Sequence, residues 1–262
     1  MIVSNDESIL ILPELSGSAS VMAFSTRKGG ISKPPLNSLN FSTGQGDSPE
    51  NVRTNYRILA RELSINPRCI ATCRQVHGDN VELLDSVPVS LPTADALITS
   101  SDEIFLGVKT ADCLPILILD PKRGIAAAVH AGWRGTVLRI ARKVVRLMKA
   151  TFGCKPSDIV AALGPAIGTC CYEVDDAVLV PFRSQMPDPE RFITIHNHSG
   201  EKESLRLNLA LTNYCELTAE GVAKENIRAV ELCTRCNPEL FFSHRRDGAA
   251  SGRHIALVGF RA

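Results

Sequence analysis

Three short stretches constrain this chain more than anything else in it: Gln75-Val76-His77-Gly78, Thr110-Ala111-Asp112-Cys113-Leu114-Pro115 and Val129-His130-Ala131-Gly132-Trp133-Arg134-Gly135. Each sets one metal-ligating side chain where an apolar, strand-like run meets a turn. The separations, 36 residues from His77 to Cys113 and 17 from Cys113 to His130, are too long for a local metal knuckle. They suit side chains converging from different strands of one sheet. Two imidazoles and a thiolate leave one position of a tetrahedral Zn²⁺ open to water or substrate, which is the mark of a catalytic rather than a structural metal. Copper takes the same donors.

The sequence around these stretches supplies the strands. Ala94 to Thr99, Ile104 to Thr110, Leu114 to Leu119 and Ile125 to Val129 are short runs rich in Ile, Val and Leu and read as strands. Cys69 to Val76 and Asn80 to Leu84 read as two more, joined as a hairpin through His77-Gly78-Asp79. Upstream, Asp47-Ser48-Pro49-Glu50 offers an N-cap and a proline at the first helical position, and Val52, Tyr56, Leu59 and Leu63 then recur at helical spacing. Thr136 to Phe152 predicts the clearest helix. Val137, Ile140, Ala141, Val144, Val145 and Met148 form its apolar stripe, and Gly153 is its stop. Strands at Ile159 to Leu163, Phe192 to Ile195, Ile227 to Leu232 and Ile255 to Phe260, with helices near Asp175 to Phe182 and Asn208 to Glu220, complete an α/β (α+β) pattern. No repeat or low-complexity linker divides it, so residues 1–262 read as one domain.

Composition narrows the function classes. Lys+Arg 29 against Asp+Glu 28 leaves a net charge of +1, so nothing points to nucleic acid or an anionic membrane as partner. The run Ile9 to Leu12 is too short for a signal peptide or a membrane span. Nine cysteines without a disulfide-like spacing are expected as reduced thiols in a cytoplasmic protein.

Taken together, the QVHG, TADCLP and VHAGWRG stretches resemble a known family. Leu163-Gly164-Pro165-Ala166-Ile167 and Phe241-Phe242-Ser243-His244-Arg245-Arg246-Asp247-Gly248 extend the likeness. The family was once called laccase-domain or polyphenol oxidase proteins. Its members are now described as purine nucleoside phosphorylases with additional adenosine deaminase and methylthioadenosine phosphorylase activity. The resemblance runs from about Ser38-Leu39-Asn40 to Gly259-Phe260 and implies mixed β-sheets in a layered α/β/β/α arrangement. It also implies that His77, Cys113 and His130 hold Zn²⁺, or Cu²⁺, and serve the reaction, with a purine nucleoside and phosphate as partners. Asn40 and Arg74 match family positions and are expected at the cleft. The loop Phe41 to Asp47 departs from the family, which usually has a more aliphatic, His-containing stretch there.

Other residues are weighed on chemistry alone. Asp112 and Asp79 adjoin ligands in sequence, and either could orient an imidazole. Gly132-Trp133-Arg134-Gly135-Thr136 joins a strand to the predicted helix, where Arg134 and free backbone N–H groups suit a phosphate. The alternative is a tight turn with Trp133 packed in the core. The basic run His244-Arg245-Arg246-Asp247, with Arg253, either binds a phosphate or holds its loop through Asp247, and the alternative is a solvated ion-pair cluster. His196-Asn197-His198 reads as an exposed loop. Cys233-Thr234-Arg235-Cys236 reads as a lone C-x-x-C without a second pair, which argues against a structural zinc knuckle.

Three reactions compete. The first is phosphorolysis of purine nucleosides such as adenosine, inosine or methylthioadenosine, with adenosine deamination beside it. The H-x-E and P-C-x-x-C signature of known zinc deaminases is absent. The second is a cysteine hydrolase with Cys113 as nucleophile and His77 or His130 as base. The third is a copper phenol oxidase; a multicopper centre needs more imidazoles than the six in this chain, which argues against a conventional laccase. A monomer or a homodimer is expected.

Overall fold

Alternation with a period of two along the central strands sorts the apolar residues into separate layers. The structure, a computed structural model, describes residues 2–3, 7–11, 19–196 and 203–261. It opens with β1 (Ile2–Val3), β2 (Ile9–Ile11) and β3 (Ser20–Ser25), then α1 (Pro49–Glu62) and β4 (Ile70–Thr72). Next come β5 (Val81–Leu83), β6 (Ala96–Thr99), β7 (Phe105–Thr110), β8 (Leu114–Asp120) and β9 (Ile125–Ala131), followed by α2 (Trp133–Val137) and α3 (Ile140–Phe152). The remainder holds β10 (Val160–Leu163), β11 (Glu173–Val174), α4 (Asp176–Gln185), β12 (Ile193–His196), β13 (Ser204–Leu207), α5 (Leu209–Ala219), β14 (Ile227–Ala229), α6 (His244–Asp247) and β15 (His254–Phe260).

Two six-stranded mixed sheets run in the orders β1-β2-β3-β15-β7-β4 and β14-β10-β8-β9-β6-β5, and a small sheet runs β11-β13-β12. On β8, Leu114, Ile116 and Ile118 face α3 and α5, whereas Leu117 and Leu119 face the other large sheet. On β15, Ala256 and Val258 join that inter-sheet core, and Ile255 and Leu257 pack against Leu59 and Leu63 at α1. The result is an α/β/β/α sandwich with three parallel apolar seams. The middle strands are buried on both faces, which explains their near-continuous apolar sequence.

Three expectations change. The predicted hairpin does not form: β4 pairs in parallel with β7 in one sheet and β5 pairs in parallel with β6 in the other. The chain crosses between sheets at Gln75 to Asn80, and this crossing puts His77 between the layers. The helix expected from Thr136 instead begins at Trp133, stops at Val137 and restarts at Ile140. Arg139 breaks it in the left-handed region (φ 58°) with its guanidinium on the Gln185 carbonyl (2.7 Å), while Val137 and Ile140 stay buried on one side, so the apolar pattern runs on across the break. β1, β2, β3, β11 and β13 were not anticipated. Asn197 and His198 lie outside the described residues.

Candidate metal centre

Cys113 immediately precedes β8 and His130 lies near the end of β9, where Pro115 pairs with His130 and Leu114 with Ala131. Gly132 therefore comes opposite Cys113, and a Cβ there would stand 3.0 Å from Cys113 Sγ and 3.2 Å from His77 Cδ2. Only glycine leaves that room. His77 arrives from the crossing segment, which Gln75 fastens by exchanging two side-chain hydrogen bonds with the Lys109 backbone (2.7 and 2.8 Å). One donor atom from each of His77, Cys113 and His130 lies within 4.8 Å of the others, and the two rings stand edge to face at 4.8 Å. His130 is buried and His77 is exposed, so the centre opens on the His77 side.

Asp95 holds the arrangement together. This wholly buried carboxylate accepts from His130 Nδ1 (2.8 Å) and from the successive backbone N–H groups of Val76, His77 and Gly78 (3.2, 3.0 and 2.7 Å). His77 sits in the left-handed region (φ 59°), a conformation of the kind found where function imposes strain, and those three bonds keep it there. With Nδ1 committed to Asp95, His130 presents Nε2 to the centre, the usual carboxylate–histidine–metal relation.

Burial opposes ionisation of Cys113, but the His130 charge and hydrogen bonds from His130 and His77 outweigh it and hold the thiol well below its ordinary range. Burial likewise disfavours a charged His130, yet Cys113 and Asp95 raise it. Asp95 also bears a desolvation cost, overcome by the His130 and Gly78 hydrogen bonds, which hold it below the ordinary carboxylate range. Together these shifts describe a Cys113 thiolate held against a charged His130, so a metal bound here would take the place of the imidazolium proton. A soft thiolate, two imidazoles, one anchored ring and a glycine gap fit a tetrahedral Zn²⁺ with an open position.

The neighbouring residues divide into those near the centre and those committed elsewhere. Asp79 does not orient a ligand; it pairs with Lys143 (2.8 Å). Asp112 does not either: its carboxylate accepts from Thr234 Oγ1 (2.5 Å), Ser243 Oγ (3.0 Å) and the Arg245 N–H (2.6 Å). Those bonds fix Asp112 at φ 87° and so set the direction of Cys113. Asn40 is buried, donates to the Ser42 carbonyl and Asp47, and accepts from the Arg253 and Ser42 N–H groups, so its amide is used in holding the loop and Arg253 rather than left free for a ligand. Burial lowers the pKa of Arg253, whose charge Cys113 and Asp112 support. Arg74 is exposed and donates to Thr93 Oγ1. Arg134 is exposed and lies over the Trp133 ring at 4.8 Å, and Arg245 donates to the Glu173 carbonyl while covering Tyr172.

Asp95 was missed in the sequence. The signal was present as a lone carboxylate in the apolar run Ala94 to Ile98. The lone C-x-x-C is also corrected: Cys170 and Cys171 converge on Cys233 and Cys236, so a second pair exists. A cavity of about 560 Å³ beside Cys170 and Cys233 is lined by none of the three ligands, so the first centre is identified by its chemistry rather than by concavity.

Two stacked mixed sheets whose strand ends converge on a Cys/His₂ cluster define a layered α/β protein with a candidate metal centre between its sheets. The chain belongs to the multi-copper polyphenol oxidoreductase laccase family, which matches residues 21–261. It is 38% identical over 250 residues to the purine nucleoside phosphorylase YlmD of Geobacillus stearothermophilus, covering 92% of this chain and 90% of that one. It is 35% identical to adenosine deaminase RL5 from an unknown prokaryotic organism, covering 89% and 91% respectively. The crystal structure of the Bacillus licheniformis hypothetical protein YfiH superposes with a TM-score of 0.89 at 32% identity, over 97% of each chain.

Proposed function

We propose that this chain is a metal-dependent purine nucleoside phosphorylase acting in the cytoplasm, with adenosine deamination as a second activity. The observation that carries the reading is the Cys/His₂ cluster built around Asp95 and open on the His77 side, in a chain similar to a phosphorylase along nearly its whole length. His77, Cys113 and His130 would hold Zn²⁺, which when bound supplies an electrophile at neutral pH.

The chain's other residues have separable tasks. In phosphorolysis a phosphate oxygen bonds to the ribose anomeric carbon as the bond to the purine nitrogen breaks, giving ribose 1-phosphate and the base. The transition state carries positive charge on the sugar, so a positioned dianion stabilises it and orientation lowers the barrier. Arg134 is the proposed phosphate partner, because its guanidinium is exposed yet held over Trp133 just past the ligand strand. Arg253 adds positive charge near Cys113 and Asp112, and Arg245, whose guanidinium lies over Tyr172, is a further candidate contact. Arg74 remains a candidate contact at the rim.

The similarity to an adenosine deaminase favours a second reading, attack of water at purine C6 in the same site. Product analysis separates the two. Inosine with phosphate should yield hypoxanthine and ribose 1-phosphate, and chelation should abolish that yield, with Zn²⁺ restoring it. Phosphate-independent release of ammonia from adenosine, with no ribose 1-phosphate from either nucleoside, would leave deamination alone.

A further inference from the structure

We infer that Cys170, Cys171, Cys233 and Cys236 form a second metal site, a closed tetrathiolate centre for a structural Zn²⁺ that joins two loops behind the first. All four Sγ atoms lie within 4.8 Å of one another, although Cys170 and Cys236 are 66 residues apart in the chain. Cys236 Sγ is 3.4 Å from Cys170 Sγ and 3.2 Å from Cys171 Sγ. A tetrahedron of about 2.3 Å Zn–S bonds has sulfur–sulfur edges of about 3.8 Å, so the cluster needs only small adjustments to enclose one ion. A disulfide accounts for it less well, because Cys236 has two partners within 3.4 Å and a bridge would use only one. A multinuclear iron–sulfur cluster would spread its thiolates wider than this.

Two surroundings support a thiolate centre. The Gly168 N–H donates to Cys233 Sγ (3.3 Å), and Arg235 Nη1 donates to Cys171 Sγ (3.5 Å). Donors on ligating sulfur are the outer partners that metal thiolates take. The loops also register without the ion: Ala166 and Cys233 form an isolated parallel bridge, and the Thr234 N–H donates to the Ala166 carbonyl (3.0 Å). The C-x-x-C half has the spacing of a zinc knuckle, and the adjacent Cys170–Cys171 pair supplies the other two ligands.

The position gives the site a purpose. Thr234, between the two cysteines of the C-x-x-C, donates to Asp112, the residue before Cys113. An ion here would fasten the loop that sets the direction of the first centre's thiolate. It needs no assumption about the reaction run there.

The test uses the full chain, purified anaerobically, with metal counted by mass spectrometry and Co²⁺ uptake followed by absorbance. The wild type should take up two ions per chain, Cys236→Ser one, and the double variant His77→Ala/Cys113→Ser one. Cobalt in that double variant should still show strong thiolate-to-cobalt charge transfer and tetrahedral d–d bands, which then arise from these four cysteines alone. If the double variant does not fold, the wild-type cobalt protein decides, since five Co–thiolate bonds should absorb roughly five times as strongly as one. The inference is overturned by a single ion whose loss follows Cys113→Ser but not Cys236→Ser. It is also overturned by charge transfer no stronger than one thiolate gives, by stoichiometric iron at this site, or by a native disulfide to Cys236.

Discussion

Asp95 accepts from the His130 ring and from the His77 backbone, so one carboxylate couples two of the proposed metal ligands. Asp95→Asn keeps the shape but can turn an N–H toward His130 Nδ1, so the ring loses its fixed orientation. Metal affinity is expected to fall about 10- to 100-fold, as it does for other outer partners of metal ligands, and competition with a chromogenic chelator measures it. Cys113→Ser should lose one equivalent of metal and nucleoside cleavage together, because a serine hydroxyl is a poor Zn²⁺ ligand at neutral pH. Were Cys113 the nucleophile of a hydrolase, the same variant would keep its metal and lose only turnover. Arg134→Ala should raise KM for phosphate more than KM for inosine, by about 1.5 to 3 kcal/mol for a lost charge-assisted bond. An unchanged phosphate dependence in folded, metal-loaded protein would reduce Arg134 to a surface residue stacked on Trp133.

At the scale of elements, the helix–sheet seam is where burial counts most. Met148 on α3 is fully buried between β9 and α5, so Met148→Ala should cost about 2 to 5 kcal/mol. Leu138, half exposed at the break between α2 and α3, should cost well under 1 kcal/mol on the same change. Urea midpoints compare the two directly. The break itself shows what a sequence withholds. The stripe from Val137 to Met148 reads as one helix because both pieces face the same core, and a non-glycine left-handed residue such as Arg139 leaves no mark in the pattern. The strands β6 to β10 were legible because burial on both faces makes them apolar runs. Ser204–Leu207 was not, because β13 lies in a small sheet whose residues are mostly half-buried. His77, Cys113 and His130 could be recognised from their motifs. Asp95 left only the mark of a lone carboxylate in an apolar run, and the convergence of the Cys170–Cys171 pair on Cys233 and Cys236 emerges only when the fold brings distant loops together.

At the scale of the whole molecule, His254 ties the start of β15 to the Phe241–Phe242 segment and to Thr110 on β7, and that contact should make the fold sensitive to acid. His254 is buried at the start of β15, edge to face with Phe241 and tilted against Phe242, and its Nε2 accepts from the Phe242 N–H (2.8 Å). Burial pushes its pKa down to about 3; the Thr110 carbonyl partly opposes this, and Arg27, Arg253 and Arg246 add to the depression. In the unfolded chain the same ring titrates near 6.5. Below that value the unfolded state binds a proton that the native state refuses, so stability is fully present above about pH 6.5 and is lost as pH falls toward 3. At most this is a tenfold change in the folding constant per pH unit. His254→Gln keeps an acceptor near the Phe242 N–H and removes the titration. Its stability at pH 7 should be lower, but its decline between pH 6.5 and 4.5 should be flatter than the wild type's in paired urea melts. The carboxylates, Cys113 and His130 titrate in both proteins, so the difference in slope isolates His254. Parallel slopes would show that this ring takes up its proton as readily in the folded protein as in the unfolded chain.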